Sequence, residues 1–310
     1  MPGIAGKNRE KMQKPGNRVK GIICILLAAL GFSLMTFFVR ISGDLPTMQK
    51  AFFRNFVAMI VAISALVKAK IPFRIKKENR ADIFFRCLFG TSGLIANFYA
   101  IDRLGIADAN MLNKLSPFFA IVLSIFILKE VPSKVDIAAT VIAFIGALFI
   151  IRPTGMLSEV IPALIGLYGG FGAGTAYVFV RKLGKKGERT PIIVLCFSLF
   201  SCLVTLPYLI FDFRPMTGRQ WACLFLAGIG ASLGQFSITT AYKYAPAKEL
   251  SVFDYMQVIF AAILGMVFLG EVPVPLSICG YALIIGVATF RWWYTKKQDE
   301  EQDQKQAAGS

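Results

Sequence analysis

The stretch Leu128-Lys129-Glu130-Val131-Pro132 recurs near the end of the chain as Leu269-Gly270-Glu271-Val272-Pro273, at an offset of 141 in residue number. The same offset aligns Phe38-Val39-Arg40 with Phe179-Val180-Arg181. One ungapped register therefore relates the two halves of the sequence. Self-similarity at a fixed offset is the signature of a repeated structural unit, so we expect the chain to be an internal duplication.

Both copies consist mainly of long apolar stretches. Of 310 residues, 56% are hydrophobic and 17% are charged, and the mean hydropathy is +0.62. Soluble domains carry about 25% charged residues, and a bilayer core needs about 20 apolar residues per helix. Ten stretches have this character: 19–40, 47–67, 83–101, 107–128, 135–152, 161–181, 191–211, 220–242, 248–270 and 276–294. The predicted fold class is therefore an all-α integral membrane protein with ten transmembrane helices.

The number of spans decides how the two copies are related. Each copy has five spans, an odd number, so the second copy must insert upside down relative to the first. We expect one repeat over 19–152 and the other over 161–294, with polar, disordered tails at 1–18 and 295–310. Inverted repeats are typical of alternating-access transporters, whose substrate site lies near the bilayer midplane between the halves.

The distribution of basic residues predicts the orientation. The formal net charge is +16, but most of the 34 Lys and Arg residues fall between apolar stretches, on the side of the N-terminus. This pattern predicts that both termini are cytoplasmic, and it argues against a nucleic-acid binder, which would gather its charge on one face. In this count of basic residues, Arg86 is assigned to the cytoplasmic segment that follows the second span. The short loops favour a bacterial plasma (inner) membrane.

Several chemistries lack the residues they need. The chain contains no His, and its six Cys lie in apolar segments without a Cys-x-x-Cys pair. No pair of acids falls at ligand spacing within a span, as the alternative of a membrane-embedded enzyme would require, and no phosphate-binding Gly-rich loop with a Lys is present. We therefore expect no enzymatic activity, no metal and no cofactor, and transport driven by an ion or substrate gradient.

Three sequence features point to the same protein family. They are Arg54 early in the second span, the block Ala107-Asp108-Ala109 with Leu115-Ser116-Pro117-Phe118-Phe119 in the fourth, and the Glu that ends both the fourth and ninth spans. In these features the chain resembles the ten-helix EamA-type branch of the drug/metabolite transporter superfamily. The resemblance implies a helix bundle around a central cavity and the transport, often the export, of metabolites such as amino acids, nucleobases or carboxylates.

Ionisable residues inside the spans are the main candidates for function, because each costs about 2.5–3.5 kcal/mol at a helix centre. Arg54, Lys114 and Asp254 stand out. The repeat register makes Tyr255 the counterpart of Lys114, and a pseudo-twofold axis would bring Lys114 and Asp254 together. With their polar neighbours, the predicted substrate-binding residues are Lys114, Asp254, Asn110, Asn113, Tyr255, Arg54, Ser251, Gln235, Asn97 and Tyr177.

The sequence leaves the roles of these residues open. Lys114 and Asp254 could form a structural ion pair, or they could bind a zwitterionic amino acid together. A di- or tricarboxylate would instead use Lys114 and Arg54, and Arg54 could also reach a membrane interface. The expected function is a secondary transporter, an exporter or exchanger of small organic metabolites, with a proton or counter-substrate as coupling partner and with an open oligomeric state that includes a monomer. Glu130, Glu271 and the glycines spaced by four are expected to be structural.

Overall fold

The structure, a computed structural model, describes residues 15–70, 72–104, 112–151, 160–270 and 275–308. Within these ranges the chain is helical, with one 3₁₀ turn at Lys77–Asn79 and no strand. The helices are α1 (Pro15–Ile41), α2 (Thr47–Lys68), α3 (Arg80–Leu104), α4 (Ser116–Leu128), α5 (Lys134–Ile151), α6 (Val160–Lys185), α7 (Thr190–Phe211), α8 (Gly218–Tyr244), α9 (Ala247–Asp254), α10 (Met256–Leu269) and α11 (Pro275–Ala308).

The helices form a multi-pass membrane protein. Eight helical segments of the described chain are long and apolar enough to cross a bilayer, with α9 and α10 together making one of them. Helix α4 is a shorter apolar helix of 13 residues. Large apolar side chains, such as Phe126 and Phe211, stand exposed on the outside of the bundle. An apolar exterior is stable only against lipid, and the predicted all-α membrane class is confirmed.

Short connections make successive spans antiparallel, so the bundle has two faces. We call the face at which α1 begins and α2 ends face A, and the opposite one face B. At face A, Arg18 of α1 pairs with Glu249 of α9 (Nε–Oε1 3.5 Å). At face B, Gln49 donates from Nε2 to the carbonyl of Arg214 (2.9 Å). Contacts between helix ends that are distant in sequence therefore stabilise the bundle on both faces.

The helix ends carry recognisable stop and start signals. Thr217 and Gln220 form a capping box that satisfies backbone N–H groups at the start of α8. Helices α4 and α10 both end on a residue in the left-handed conformation, Lys129 (φ 58°) and Gly270 (φ 67°). These two residues are equivalent in the repeat register, so the repeated sequence ends two helices in the same way. Glycine takes this conformation without steric cost, whereas lysine does not.

Glycines allow two pairs of helices to approach backbone to backbone. A Cβ placed on Gly31 of α1 would lie 2.6 Å from the backbone N of Gly234 in α8. A Cβ placed on Gly172 of α6 would lie 2.8 Å from the Cα of Gly93 in α3. Small residues at such crossings maximise van der Waals contact between membrane helices. The structural role expected for the glycines extends to Gly170, which packs on the carbonyl of Leu112.

The fourth and ninth spans are interrupted, although the sequence predicted continuous helices over 107–128 and 248–270. In the first half a turn at Lys114 and Leu115 precedes α4. Pro117 explains it, because proline has no N–H to donate and its ring clashes with the preceding turn. In the second half the chain turns at Tyr255 between α9 and α10. That interruption has no proline, yet it falls at the repeat counterpart of Lys114.

The ends of the chain differ from the expectation of two disordered tails. Helix α11 does not stop near residue 294 but continues through the polar segment to Ala308. Glu, Gln, Lys and Ala dominate this segment, and these are good helix formers even without an apolar face. Helix α1 begins at Pro15, a few residues before the predicted start of the first span. Positions 1–14 lie outside the described ranges.

Candidate functional site

A central cavity of about 210 Å³ lies between the two halves of the bundle. Side chains from α1, α2, α3, α6, α7 and α8 line it, together with Asn113 before α4 and Gln257 in α10. From the middle of the bundle it extends to residues near face B, such as Val39 and Lys50. Five of the predicted site residues line this cavity: Arg54, Asn97, Asn113, Tyr177 and Gln235.

Arg54 reaches the cavity from face B. It lies seven residues into α2, a rise of about 10 Å, and its exposed fraction is 5%. The side chain therefore does not extend to a membrane interface. No hydrogen bond or ion pair joins its guanidinium to the described residues, and its Nε is buried without a partner. A guanidinium carries five donors, so this group is available to a ligand in the cavity.

Arg86 reaches the same cavity from the direction of face A. It lies six residues into α3 and is 3% exposed. Its Nη2 donates to Oε1 of Gln235 (3.2 Å), and its Cζ lies 4.1 Å from the ring centroid of Phe197. Its Nε is also buried without a partner. Arg86 falls within the predicted span 83–101, but the count of basic residues placed it with a cytoplasmic segment; that placement was wrong, because the residue is buried within α3.

The charge of the cavity is positive. Among the described residues that line it, Lys50, Arg54 and Arg86 are cationic and none is Asp or Glu. Arg54 and Arg86 are buried and have no carboxylate partner among the described residues, so they carry the full cost of leaving water. Charges in a low-dielectric site also act over a longer range than they do in water. This arrangement attracts anions and repels cations.

Lys114 and Asp254 lie close together, as the repeat register predicted, and they form an ion pair. The Nζ of Lys114 lies 3.2 Å from Oδ2 of Asp254, and it also donates to Oε1 of Gln257 (2.8 Å) and to the Asp254 carbonyl (3.4 Å). Both residues are buried, and neither lines the cavity. Three acceptors therefore saturate the ammonium, and only Gln257 connects it to the cavity wall.

The same contacts also join the two helix interruptions. Tyr255 is buried and donates its hydroxyl to the carbonyl of Lys114 (2.9 Å). Lys114, its counterpart in the first repeat, donates to the carbonyl of Asp254, the residue before Tyr255. Turns inside a membrane leave backbone carbonyls without helical partners, and these must be satisfied internally. Each interruption is thus closed by a side chain from the other one.

The remaining predicted site residues lie elsewhere. Ser251 is fully buried and donates to the carbonyl of Ala247 one turn earlier, and it does not line the cavity. Asn110 falls outside the described residues, as does Glu271. Glu130 pairs with Arg181 (3.1 Å) and Lys185 (2.6 Å), which agrees with the structural role predicted for it.

Face A is closed beneath the cavity by two layers of contacts. The first is the stack of Tyr177 on Tyr242, whose ring centroids are 5.0 Å apart. The second is centred on Arg181, which pairs with Glu130 and donates to the carbonyls of Tyr242 and Lys243. A flanking cluster adds Asp82, which accepts from Lys182 (2.8 Å) and Lys186 (2.6 Å). Among the residues that the structure describes, these contacts lie between the cavity and face A.

A second concavity, of about 460 Å³, lies on the outer surface of the bundle. Its lining is apolar except for Lys70 and includes Ile63, Val67 and Leu195. Specific sites hold a few convergent polar groups that orient a solute. This groove is larger than the central cavity but lacks such groups, so we do not regard it as the functional site.

The sequence matches the model of the EamA-like transporter family twice, over residues 19–152 and 160–291. The chain belongs to the EamA-like transporter family. The protein is thus a membrane transporter, as the other members of its family are. The family resemblance noted in the sequence is confirmed.

Two relatives indicate how widely this architecture occurs. The pseudopaline exporter CntI of Pseudomonas aeruginosa is 31% identical over 279 residues, which cover 89% of this chain and 97% of that protein. Human solute carrier family 35 member G1 is 27% identical over 295 residues, which cover 89% of this chain and 81% of that protein. Both matches span nearly the whole described bundle.

A solved crystal structure has the same fold. The two superpose with a TM-score of 0.78 at 17% sequence identity, covering 90% of this chain and 99% of the other. At this identity the agreement speaks for the fold alone.

Proposed function

We propose that this protein is a secondary active transporter, an exporter or exchanger, that carries small organic anions through the central cavity by alternating access. Its ten spans form two inverted five-helix repeats in the plasma membrane, with both termini in the cytoplasm. The observation that carries the proposal is the cavity itself: cations of the first repeat line it, it reaches towards face B, and helix contacts lie between it and face A.

The helix contacts support an inverted repeat. Gly31 and Gly172 are equivalent in the repeat register, and so are Gly93 and Gly234. The close contact of Gly31 with Gly234 therefore has its counterpart in the contact of Gly172 with Gly93. A pseudo-twofold axis exchanges partners in this way, as it does for Lys114 and Tyr255 at the helix interruptions. The two matches to the family model support the same duplication.

The charge distribution favours anions over zwitterionic amino acids. A zwitterion bound through Lys114 and Asp254 would have to separate two groups that already satisfy each other at 3.2 Å. Arg54 and Arg86 form no ion pair with a carboxylate of the described residues, so an anion that binds them breaks no such pair. Of the two substrate classes that the sequence leaves open, organic anions therefore fit better. The name of the Pseudomonas relative, an exporter, favours outward transport.

The proposed orientation places face A in the cytoplasm. Most of the Lys and Arg residues outside the cavity gather on this face, including Arg181, Lys182 and Lys186, which agrees with the positive-inside rule. The cavity then communicates with the outside, and the contacts at face A form the closed cytoplasmic gate. A proton or a counter-substrate would supply the energy.

Solute counterflow in proteoliposomes tests this function. Vesicles containing the purified protein are loaded with one metabolite class at a time, either organic anions or neutral amino acids. The uptake of a labelled trace of the same compound is then measured. We expect accumulation with anions. Ala173→Phe should abolish it, because Ala173 lines the cavity and a phenyl ring would fill much of its volume.

The matched control is Ala138→Phe, at an exposed position on α5, which should leave counterflow unchanged. Counterflow that survives Ala173→Phe would show that the cavity is not the pathway. Accumulation of neutral amino acids but no anion would leave the protein a transporter and overturn the anion assignment.

A further inference from the structure

We propose that Arg54 and Arg86 together form a dianion site, so that the substrate carries two negative charges, as a dicarboxylate or a phosphate monoester does. This inference rests on the proposed function and specifies its substrate. It also replaces Lys114 by Arg86 as the partner of Arg54. The two guanidiniums enter one small cavity from opposite faces of the membrane, one from α2 and one from α3.

Both arginines carry a charge that no described residue compensates. Arg54 and Arg86 are each at least nine-tenths buried, and each has a buried Nε without a partner. Neither forms an ion pair with a residue that the structure describes. Two like charges facing one cavity repel each other, and this repulsion is strong in a medium of low dielectric constant. A ligand with two negative charges neutralises both, whereas a monoanion leaves one uncompensated.

Neutral groups hold Arg86 in place. Its guanidinium lies over the Phe197 ring at 4.1 Å and donates to Oε1 of Gln235. One turn further along α3 is Gly90, where a Cβ would overlap Nη1 of Arg86. The missing side chain provides the space that the guanidinium occupies. These contacts orient the cation without neutralising it, as a preorganised anion site requires.

A further buried cation, Lys114, is not available to a ligand. Lys114 already has three acceptors, including the carboxylate of Asp254. Its side chain does not line the cavity. Binding an anion there would require breaking a buried ion pair, which is costly. The arginine pair is available without such a loss, and arginine suits planar or tetrahedral anions because its donors form a rigid fork.

The cavity limits the size of this dianion. Its volume of about 210 Å³ is below the range of about 300–1,000 Å³ that holds drug-sized ligands. Asn97, Asn113 and Tyr177 supply further polar groups on its walls. We therefore infer a small, compact metabolite whose two charges interact with the arginines and whose remaining polar groups contact the amides and the phenol.

Ligand-dependent thermal stabilisation of the full-length protein in detergent tests the inference. The probes are malonate, succinate and glutarate, the monocarboxylates propionate and butyrate, glycerol phosphate, and alanine as a zwitterion. We expect the wild type to bind at least one dianion about 10-fold or more tightly than any monocarboxylate, the effect of one additional charge-assisted contact. A preference for the diacids or for glycerol phosphate identifies which dianion the site takes.

Substitutions then assign the preference to the two arginines. Arg54→Gln and Arg86→Gln should each reduce the dianion preference by about 10-fold to 100-fold, while affinity for a monocarboxylate changes much less. Arg219→Gln removes one positive charge at an exposed position near face B and should retain the preference. Arg86→Lys keeps the charge but loses the fork, and we expect it to recover part of the dianion affinity.

The outcomes separate this inference from the proposed function. Wild-type protein that binds monocarboxylates as tightly as dianions overturns the dianion site, and this comparison needs no variant to fold. A dianion preference that survives both Gln substitutions also overturns it. In either case anion counterflow blocked by Ala173→Phe would leave the transport function standing. No counterflow with any metabolite would instead contradict the function itself.

Discussion

Four of the buried ionisable side chains that the structure describes divide into two classes by their partners: Lys114, Asp254, Arg54 and Arg86. Lys114 and Asp254 satisfy each other at 3.2 Å, whereas Arg54 and Arg86 have no acidic partner among the described residues. All four bear the cost of burial in a membrane protein. For the first two, the partner offsets this cost and stabilises the fold. For the second two, we expect the substrate to do so.

The ion pair leads to a prediction about stability. Lys114→Ala leaves the Asp254 carboxylate buried without its counter-ion, and Asp254→Ala does the same to the ammonium. Each should lower the free energy of unfolding by about 3–5 kcal/mol, measured by denaturant or thermal unfolding in detergent. The double substitution should cost clearly less than the sum of the two, because it leaves no uncompensated charge.

Lys296→Ala is the matched control for this prediction. Lys296 and Glu300 form an exposed pair on α11 at 3.9 Å, and exposed pairs contribute about 0–1 kcal/mol. If Lys114→Ala were no more destabilising than Lys296→Ala, the pair would not be structural, and a direct role in substrate binding would regain support.

Sequence patterns identified some of these residues and missed one. The repeat register predicted that Lys114 and Asp254 would meet, because a duplication carries information about which residues face each other. Arg54 was recognisable as a charge within an apolar stretch. Arg86 was missed as a site residue although it lies within the predicted span 83–101, because it follows a run of loop cations and was counted with them. The available signal was Gly90, which lies one helical turn later and leaves space for the Arg86 side chain.

At the scale of helices, two glycine contacts set the distance between the halves of the bundle. Gly31→Ala would place a Cβ 2.6 Å from the Gly234 nitrogen, and Gly172→Ala would place one 2.8 Å from the Cα of Gly93. Both obstacles are backbone atoms, so the helices must separate. We expect each substitution to cost about 1–3 kcal/mol of stability, visible as a lower melting temperature.

The control for the glycine prediction is Gly286→Ala. Gly286 lies in α11, and a Cβ added at this position would meet no atom within 4 Å. Alanine is a better helix former than glycine, so this variant should be as stable as the wild type or slightly more so. Equal melting temperatures for Gly31→Ala, Gly172→Ala and Gly286→Ala would show that the crossings are looser than described.

The helices themselves were largely predictable, but their interruptions were not. Hydropathy fixed most helix bounds within a few residues, since length and apolar content are set by the bilayer. Pro117 was visible in the first half, yet Val258 occupies the equivalent position in the second. The turn at Tyr255 depends on contacts with Lys114 across the bundle. Local sequence does not encode such contacts, so only the repeat register pointed towards this position.

For the molecule as a whole, the contacts on the two sides of the central cavity differ. The Tyr177–Tyr242 stack and the Arg181–Glu130 pair lie between the cavity and face A. Alternating access requires these contacts to open while the face B side closes. Because Glu130 holds both Arg181 and Lys185, Glu130→Gln should weaken the closed gate and shift the population towards a state open to face A.

The accessibility of one cavity residue from the two sides of the membrane tests alternating access most directly. Ala173→Cys, in a background without the six native cysteines, places a thiol on the cavity wall. An impermeant maleimide is applied to vesicles of either orientation. We predict labelling from face B in the otherwise wild-type protein and a marked gain of labelling from face A with Glu130→Gln. Labelling from face B alone in both proteins, with transport intact, would contradict the account.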